Sequence, residues 1–295
     1  MERMIDIHDL TKDYGNHKGI FNVSFWVGKG ECIGFLGPNG AGKTTTIRHL
    51  LGFIKNQTGH VTIQGLSCFE NQKILQESMG YLPGEITFID EFNGDQFIKF
   101  MAHMKKVNDL TYANQLVAMF ELDPTVSIKK MSKGMKQKLG IVIAFMNKPN
   151  LLLLDEPSSG LDPLMQGKLI ELVNTHKKMG ATILLSSHMF EEVERTCDRV
   201  LIIKQGKIVA NENIETLKAN RHKRFIISFK DEAEAKRFNE AQGGHLLSKQ
   251  VVSIDLTSDM DSFITVLCKY ALLSLDVPNQ SLEEVFMQYY GGDMT

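Results

Sequence analysis

The sequence predicts an α/β domain around a mostly parallel sheet, followed by a small α+β unit. Three observations predict it. Strand-like and helix-like patterns alternate from the N-terminus to about residue 215. Leu151-Leu152-Leu153-Leu154 is continuously apolar, as a central strand covered on both faces must be, and Thr182-Ile183-Leu184-Leu185-Ser186-Ser187-His188 reads as a second buried strand. Beyond about residue 215 the order becomes strand, helix, two strands, helix, strand.

Composition sets the class. With 295 residues, 43% hydrophobic and 23% charged, the chain reads as a soluble globular protein of one or two domains. Its net charge of −2 supplies no bulk attraction to nucleic acid, so no nucleic-acid partner is expected. No apolar run approaches the roughly 18 to 20 residues of a membrane span, and Met1 to Asp6 lacks the apolar core of a signal peptide. Cys32, Cys68, Cys197 and Cys268 are far apart in sequence and read as reduced, mostly buried thiols of a cytosolic protein.

In chain order, residues 4 to 10 alternate as a first strand, and Lys12-Asp13-Tyr14-Gly15 reads as a turn. Phe21 to Val27 alternates at period two. Gly28-Lys29-Gly30-Glu31 turns the chain into the strand Cys32 to Leu36, and Thr45 to Leu51 opens a helix. Gly59 to Gly65 is a short strand, and a helix from Ile74 gives way to the strand Met79 to Leu82. Residues 94 to 146 are largely helical in pattern, with Phe97, Phe100, Met101 and Met104 on one stripe and Leu116, Met119 and Phe120 on another, and Asp123-Pro124 breaks the run. A further helix runs from the Ser132 region to about Asn147, and helices also cover Leu164 to Lys178 and Glu191 to Thr196. Arg199 to Lys204 and Lys207 to Ala210 pair around Gln205-Gly206.

In the second unit, Phe225 to Phe229, Leu246, Val251 to Leu256 and Leu272 to Val277 read as strands, with helices at Glu232 to Ala241 and Asp259 to Tyr270. This is the β-α-β-β-α-β order of ferredoxin-like units. Ser281 to Tyr290 opens with a capping-box pattern and reads as a closing helix. The basic run Arg221-His222-Lys223-Arg224 reads as a solvated linker, and the lysines at 129, 130, 133, 136 and 138 as a solvated helix face, with Lys133 near phosphate.

The chemistry concentrates in two stretches. Gly37-Pro38-Asn39-Gly40-Ala41-Gly42-Lys43-Thr44 fits the phosphate-loop pattern and sits between a strand and a helix, the context that gives the motif physical meaning. Glycines let successive N–H groups curl toward an anion, and the helix start adds its own free N–H groups. Lys43 is suited to the β- and γ-phosphates and Thr44 to Mg²⁺, with Thr45 beside them. The second stretch is the leucine strand that ends in Asp155-Glu156. It puts two carboxylates at the carboxyl edge of the sheet, where open α/β sheets bind ligands. Asp155 suits Mg²⁺, and Glu156 suits the polarisation of an attacking water.

With both stretches in hand, residues 1 to 215 resemble the ATP-binding-cassette (ABC) family. Ser132-Lys133-Gly134-Met135-Lys136-Gln137 is similar to the family signature, Ser158-Ser159-Gly160-Leu161-Asp162 to its D-loop, and His188 to its switch histidine. Tyr14 stands where the family carries an adenine-stacking aromatic. The resemblance implies a cassette in residues 1–215 with a helical subdomain at about 85–147, and an accessory domain in 216–295. It implies ATP and Mg²⁺ as cofactors and ATPase activity. In that logic Gly37, Pro38, Asn39, Gly40, Ala41, Gly42, Lys43, Thr44 and Thr45 hold nucleotide with Tyr14. Ser132 and Gly134 cap the γ-phosphate from a second cassette paired head to tail, as a homodimer or heterodimer, and Asp162 ties the two sites together. Glu156, His188 and Lys43 carry catalysis.

The resemblance extends to bacterial export-type transporters. The signature form Ser-Lys-Gly-Met and the C-terminal Ser281-Leu282-Glu283-Glu284-Val285-Phe286 are similar to theirs. It implies a cytoplasmic subunit, peripheral on the inner face of the cell membrane. That subunit would power a separate transmembrane permease exporting a drug, peptide or other small amphipathic substrate. Two departures stand out. The family places Gln after Tyr-Leu-Pro, whereas Tyr81-Leu82-Pro83 is followed here by Gly84, leaving Glu85 as a candidate metal ligand. Lys133 and Met135 replace the usual Gly and Gln of the signature. Two alternatives stand beside this reading. One is a soluble cassette ATPase acting on nucleic acid or the ribosome. The other is a regulatory or immunity nucleotide-binding module with little turnover.

Overall fold

The computed structural model describes residues 2–219, 223–256 and 260–277. The chain forms two compact units, Met1–Ile214 and a second beginning at Glu215.

In the first unit, β1 (Arg3–Asp13) and β2 (Gly19–Gly28) form an antiparallel pair whose alternate residues Ile5, Ile7, Val23 and Val27 are buried. The turn between them lies beyond Asp13, because Lys12 and Asp13 still pair with Ile20 and Gly19; the expectation of a turn from Lys12 is corrected accordingly. β3 (Cys32–Leu36) is buried throughout and feeds α1 (Lys43–Leu50). Then come β4 (Thr58–Ile63), a two-residue β5 (Leu66–Ser67) too short to read from sequence, α2 (Gln72–Ser78) and β6 (Met79–Leu82).

The helical segment follows: α3 (Gly94–Met104), α4 (Thr111–Met119) and α5 (Lys133–Phe145). Phe88, Phe92, Phe97 and Phe100 meet edge-on or tilted at its start, but of the expected Phe97, Phe100, Met101 and Met104 stripe only Phe97 is buried, while Phe100 and Met104 face solvent. α4 is tied to the core by Tyr112, whose hydroxyl lies 2.8 Å from His176 Nε2. β7 (Leu151–Asp155), α6 (Pro163–Lys178), β8 (Thr182–Ser187), α7 (Phe190–Thr196), β9 (Arg199–Lys204) and β10 (Lys207–Asn213) complete the series, and α8 (Ile214–Ala219) begins at the boundary.

The strands divide into two sheets. The large one has the order β10-β9-β3-β8-β7-β6, with β9, β3, β8, β7 and β6 parallel and β10 antiparallel at the edge. β1, β2, β4 and β5 do not extend it; they make a separate antiparallel sheet, β2-β1-β4-β5. Alternation in β1 and β2 carries the reason. A half-buried strand suits a sheet with one covered face, whereas β3, β7 and β8 are buried on both. One core cluster joins the two sheets through Ile7, Phe25, Phe35, Leu153 and Leu201.

The second unit contains β11 (Lys223–Phe229), α9 (Glu232–Gln242), β12 (His245–Ser248), β13 (Val251–Leu256), α10 (Met260–Leu267) and β14 (Leu272–Asp276). Its sheet is antiparallel in the order β12-β13-β11-β14. Phe225, Phe229, Phe238 and Phe263 form its core. α9 starts at Asp231, which caps Glu234 N, and ends at Gly243 in the left-handed region with φ 72°. Arg224 lies within β11 and pairs with Asp255 across the ladder, so it is not linker; Arg221 and His222 lie outside the described residues, as does Ser281 to Tyr290.

Candidate functional site

Four loops leave the carboxyl ends of neighbouring parallel strands. Gly37 follows β3, Pro83-Gly84-Glu85 follows β6, Asp155-Glu156 closes β7, and His188 follows β8. Sheet order therefore brings together residues far apart in sequence. They surround an open cleft of about 600 Å³ whose lining includes Asn39, Thr44, Glu85, Asp155, Glu156 and His188.

The phosphate loop is shaped by close approach. A side chain at Gly37 would put a Cβ 2.3 Å from the Ile203 carbonyl oxygen, and Gly42 enters the helix at φ 115°, which L side chains rarely adopt. Gly42 gives α1 no side-chain cap, whereas Asn93, Ser132 and Asp162 each cap their own helix. The first-turn N–H groups of α1 are thereby left for an anion. Lys43 is almost fully buried, its ammonium 2.5 Å from Gly37 O and 3.2 Å from Glu156 Oε1.

Asp155 is buried, and Thr44 Oγ1 donates to its Oδ2 at 2.8 Å. Ser186 donates to the other carboxylate oxygen. One hydroxyl and one carboxylate are oxygen donors of the kind a small hard cation takes together with waters and phosphate oxygens. Among the described residues no cluster of three or more His, Cys, Asp or Glu could hold a metal without such additional ligands. Glu156 has the left-handed φ of 49°, uncommon for a side-chain-bearing residue, and its N–H donates to Ser186 O at 3.1 Å. That turn aims its carboxylate across the cleft. Oε2 lies 2.5 Å from His188 Nδ1, while Oε1 is buried without a hydrogen bond, since Lys43 meets it as a charge and not in hydrogen-bond geometry. An orphaned buried oxygen beside the phosphate loop is what a site shaped for a polar ligand leaves behind.

The remaining candidates sit as follows. Glu85 is exposed on the cleft wall, and a Cβ at Gly84 would lie 3.5 Å from Asp155 Oδ2, so the missing side chain opens an approach to that carboxylate. Ser132 Oγ accepts from Met135 N at 3.2 Å and Asp162 Oδ1 from Met165 N at 3.0 Å, both as helix caps. Gly134 lies close against Gly160: an added Cβ would be 2.9 Å from its carbonyl. Tyr14 is 55% exposed, outside the cleft lining, with the Lys12 ammonium 5.7 Å from its ring centroid. Lys133 is not simply on a solvated face; it reaches the cleft lining and its stem lies over Gly160.

Sequence reasoning missed Ser186, which orders both acids, and Arg48, which lines the cleft with Ser159 of the D-loop stretch. Gln137, the last residue of the signature stretch, is buried and donates to Pro157 O at 2.8 Å. A polar residue near the end of an apolar run is the sole signal that marks Ser186. Cys32 and Cys197, distant in sequence, meet at 3.5 Å between sulfurs, and the contact with burial raises the Cys32 thiol well above its usual range. Cys68 is buried as expected, whereas Cys268 is exposed.

A strand, a glycine-rich loop clasping a buried lysine, and a helix, with an acidic strand end hydrogen-bonded to the loop's threonine, define a P-loop nucleoside-triphosphate-binding domain. The sequence profile of the family described as ABC transporter matches residues 20–159. An uncharacterized ABC transporter ATP-binding protein of Methanocaldococcus jannaschii is 36% identical over 74% of this chain and 80% of its own length. The bacitracin transport ATP-binding protein BcrA of Bacillus licheniformis is 34% identical over 80% of this chain and 78% of its own length. A solved structure described as the ATP binding subunit of an ABC transporter superposes with a TM-score of 0.67 at 31% identity, covering 73% of this chain and 92% of that one. The chain belongs to the ABC transporter ATP-binding family. It has the P-loop cassette fold and is an ATP-binding ATPase subunit of the transporter type.

Proposed function

We propose that this chain binds Mg²⁺-ATP in the cleft between α1 and β7 and that its hydrolysis drives a separate membrane permease. The observation that carries the reading is the meeting of Glu156, His188 and Lys43 beside the phosphate loop, with Glu156 Oε2 2.5 Å from His188 Nδ1 and Oε1 3.2 Å from the Lys43 ammonium. Glu156 is the general base that orients water, His188 holds its carboxylate, and Lys43 and the loop amides bind the phosphates. Thr44 and Asp155 hold Mg²⁺, with Glu85 as a further ligand from the wall. The cation, when bound, neutralises phosphate charge.

Residues 1–215 form the cassette in this reading, with its helical subdomain at about 85–147, and residues 216–295 an accessory domain. Tyr14 stacks on adenine. Two cassettes pair head to tail, Ser132 and the Gly134 amide facing the partner's phosphates and Asp162 crossing the interface. Among the described residues no helix is long and apolar enough to cross a membrane, which fits a permease supplied by another chain and a location on the inner face of the cell membrane. Export of a drug, peptide or other small amphipathic substrate draws support from the bacitracin transport relative.

The test is ATP turnover of the purified chain against Glu156→Gln. The variant keeps shape and removes the base. Turnover should fall by about 10²-fold or more while ATP still binds. Wild-type turnover in Glu156→Gln would overturn the assignment.

A further inference from the structure

We propose that Glu192 is a positioning residue for the nucleotide site, its carboxyl joining the two loops that carry Glu156 and His188. Glu192 lies on α7, four residues beyond His188, and is buried. Its Oε2 accepts from Ser187 Oγ at 2.6 Å and from Ser158 Oγ at 3.3 Å. Ser187 is the last residue of β8 and directly precedes His188. Ser158 stands two residues after Glu156, in the turn where Ser159 N donates to Glu156 O at 3.1 Å. One carboxylate oxygen thus joins the exits of β7 and β8, the two segments on which Glu156 and His188 meet.

Further bonds stiffen both exits. Met189 N donates to Ser187 Oγ at 3.0 Å, so the backbone on the far side of His188 hangs from the same hydroxyl. Thr196 Oγ1 donates to Glu192 O at 2.7 Å, which fixes the helix that carries the carboxyl. The other oxygen, Oε1, is buried with no hydrogen-bond partner. A side chain serving only to fill space has no use for a buried carboxyl, which costs free energy wherever it is not bonded. Here its cost is offset by two hydroxyls from two different strand ends. Binding of the phosphates rests on α1 and the phosphate loop, which Glu192 does not touch. Placement of the base relative to the water rests on the β7 and β8 exits, and catalysis is steeply sensitive to such placement. Glu192 therefore acts on turnover more than on nucleotide affinity. This inference rests on the reading that Glu156 and His188 serve ATP hydrolysis.

The experiment measures steady-state ATPase kinetics and nucleotide affinity of the full chain for wild type, Glu192→Ala, Glu192→Gln and the double variant Ser158→Ala/Ser187→Ala, with Glu156→Gln alongside. Glu192→Ala should lower kcat about tenfold or more while KM for ATP moves less than about threefold. Glu192→Gln, whose carbonyl oxygen still accepts both hydroxyls, should recover most of kcat. The serine pair should reproduce Glu192→Ala, and combining all three changes should add little, as expected of groups acting as one unit. Wild-type kcat in Glu192→Ala, a matching loss of affinity, or no recovery in Glu192→Gln overturns the proposal. If Glu192→Ala does not fold, an unchanged kcat in the serine pair overturns it instead. Glu156→Gln separates the two readings: its loss of turnover beside a normal Glu192→Ala removes the positioning role alone, whereas wild-type turnover in Glu156→Gln removes the catalytic reading beneath it.

Discussion

Acidification acts on two buried groups of the cassette in opposite directions. His176 is 1% exposed, edge-on to Phe145 and bonded to Tyr112. Burial, helped by the Lys148 charge, pushes its imidazole from 6.5 down to about 4. The unfolded chain binds a proton there before the folded one does, so the stability it contributes is present above pH 6.5 and is lost as pH falls toward 4. Glu192 is the reverse. Burial raises its carboxyl from 4.5 to about 7, against the pull of the Ser187 and Ser158 hydroxyls. The folded chain binds that proton first, so its contribution is present below pH 4.5 and is lost as pH rises through 7. Between pH 7.5 and 5 each group shifts stability by about 2 kcal/mol, and the two nearly cancel. Urea denaturation of the cassette can be followed through Trp26, the chain's one tryptophan, which lies in β2 of the first unit. Comparing pH 7.5 with pH 5, His176→Gln should gain about 2 kcal/mol relative to wild type, and Glu192→Gln should lose about as much. Parallel pH dependences in wild type and His176→Gln would refute the assignment of a buried neutral imidazole.

Two further outcomes are expected. Glu85→Ala should move the Mg²⁺ dependence of ATPase activity to higher concentration, because Glu85 and Asp155 share the cleft wall opened by Gly84; an unchanged profile removes Glu85 from the metal site. Arg199→Ala should destabilise the first unit by about 3 kcal/mol in the same urea assay, because it leaves the Glu31 carboxylate with the Gly28 N–H at 2.7 Å but without its cation, which Arg199 supplies at 3.0 and 3.3 Å with both partners largely buried. Its guanidinium also lies 4.6 Å from the Trp26 ring centroid, so the fluorescence of the folded protein should change as well.

Which features were legible in the sequence follows from how locally each is encoded. The phosphate loop needs glycines at Gly37, Gly40 and Gly42 and a lysine within one turn, so its geometry is written in eight consecutive residues. The strands β3, β7 and β8 announce double burial by apolar runs such as Leu151 to Leu154 and Ile183 to Leu185. The second unit's β-α-β-β-α-β order was readable from periodicity alone, and α6 starts one residue before its expected Leu164 because Asp162 and Pro163 specify the entry.

Tertiary structure decided everything that depends on which strand lies beside which. The pairing of β7 with β8 sets Glu156 against His188, the placement of β3 on the other side of β8 brings Lys43 to Glu156, and no local pattern specifies that order. It also decided that β1, β2, β4 and β5 form their own antiparallel sheet, that Cys32 meets Cys197, and that Tyr112 meets His176 across 64 positions. The roles of Ser186 and Glu192 belong to the same class. A hydroxyl or carboxyl inside a core is stable only where a partner from another element reaches it, and that partner is chosen by packing rather than by neighbours in sequence. The sequence by itself determined the nucleotide loop, the acids and the family they belong to; the fold determined how those residues meet and what holds them in position.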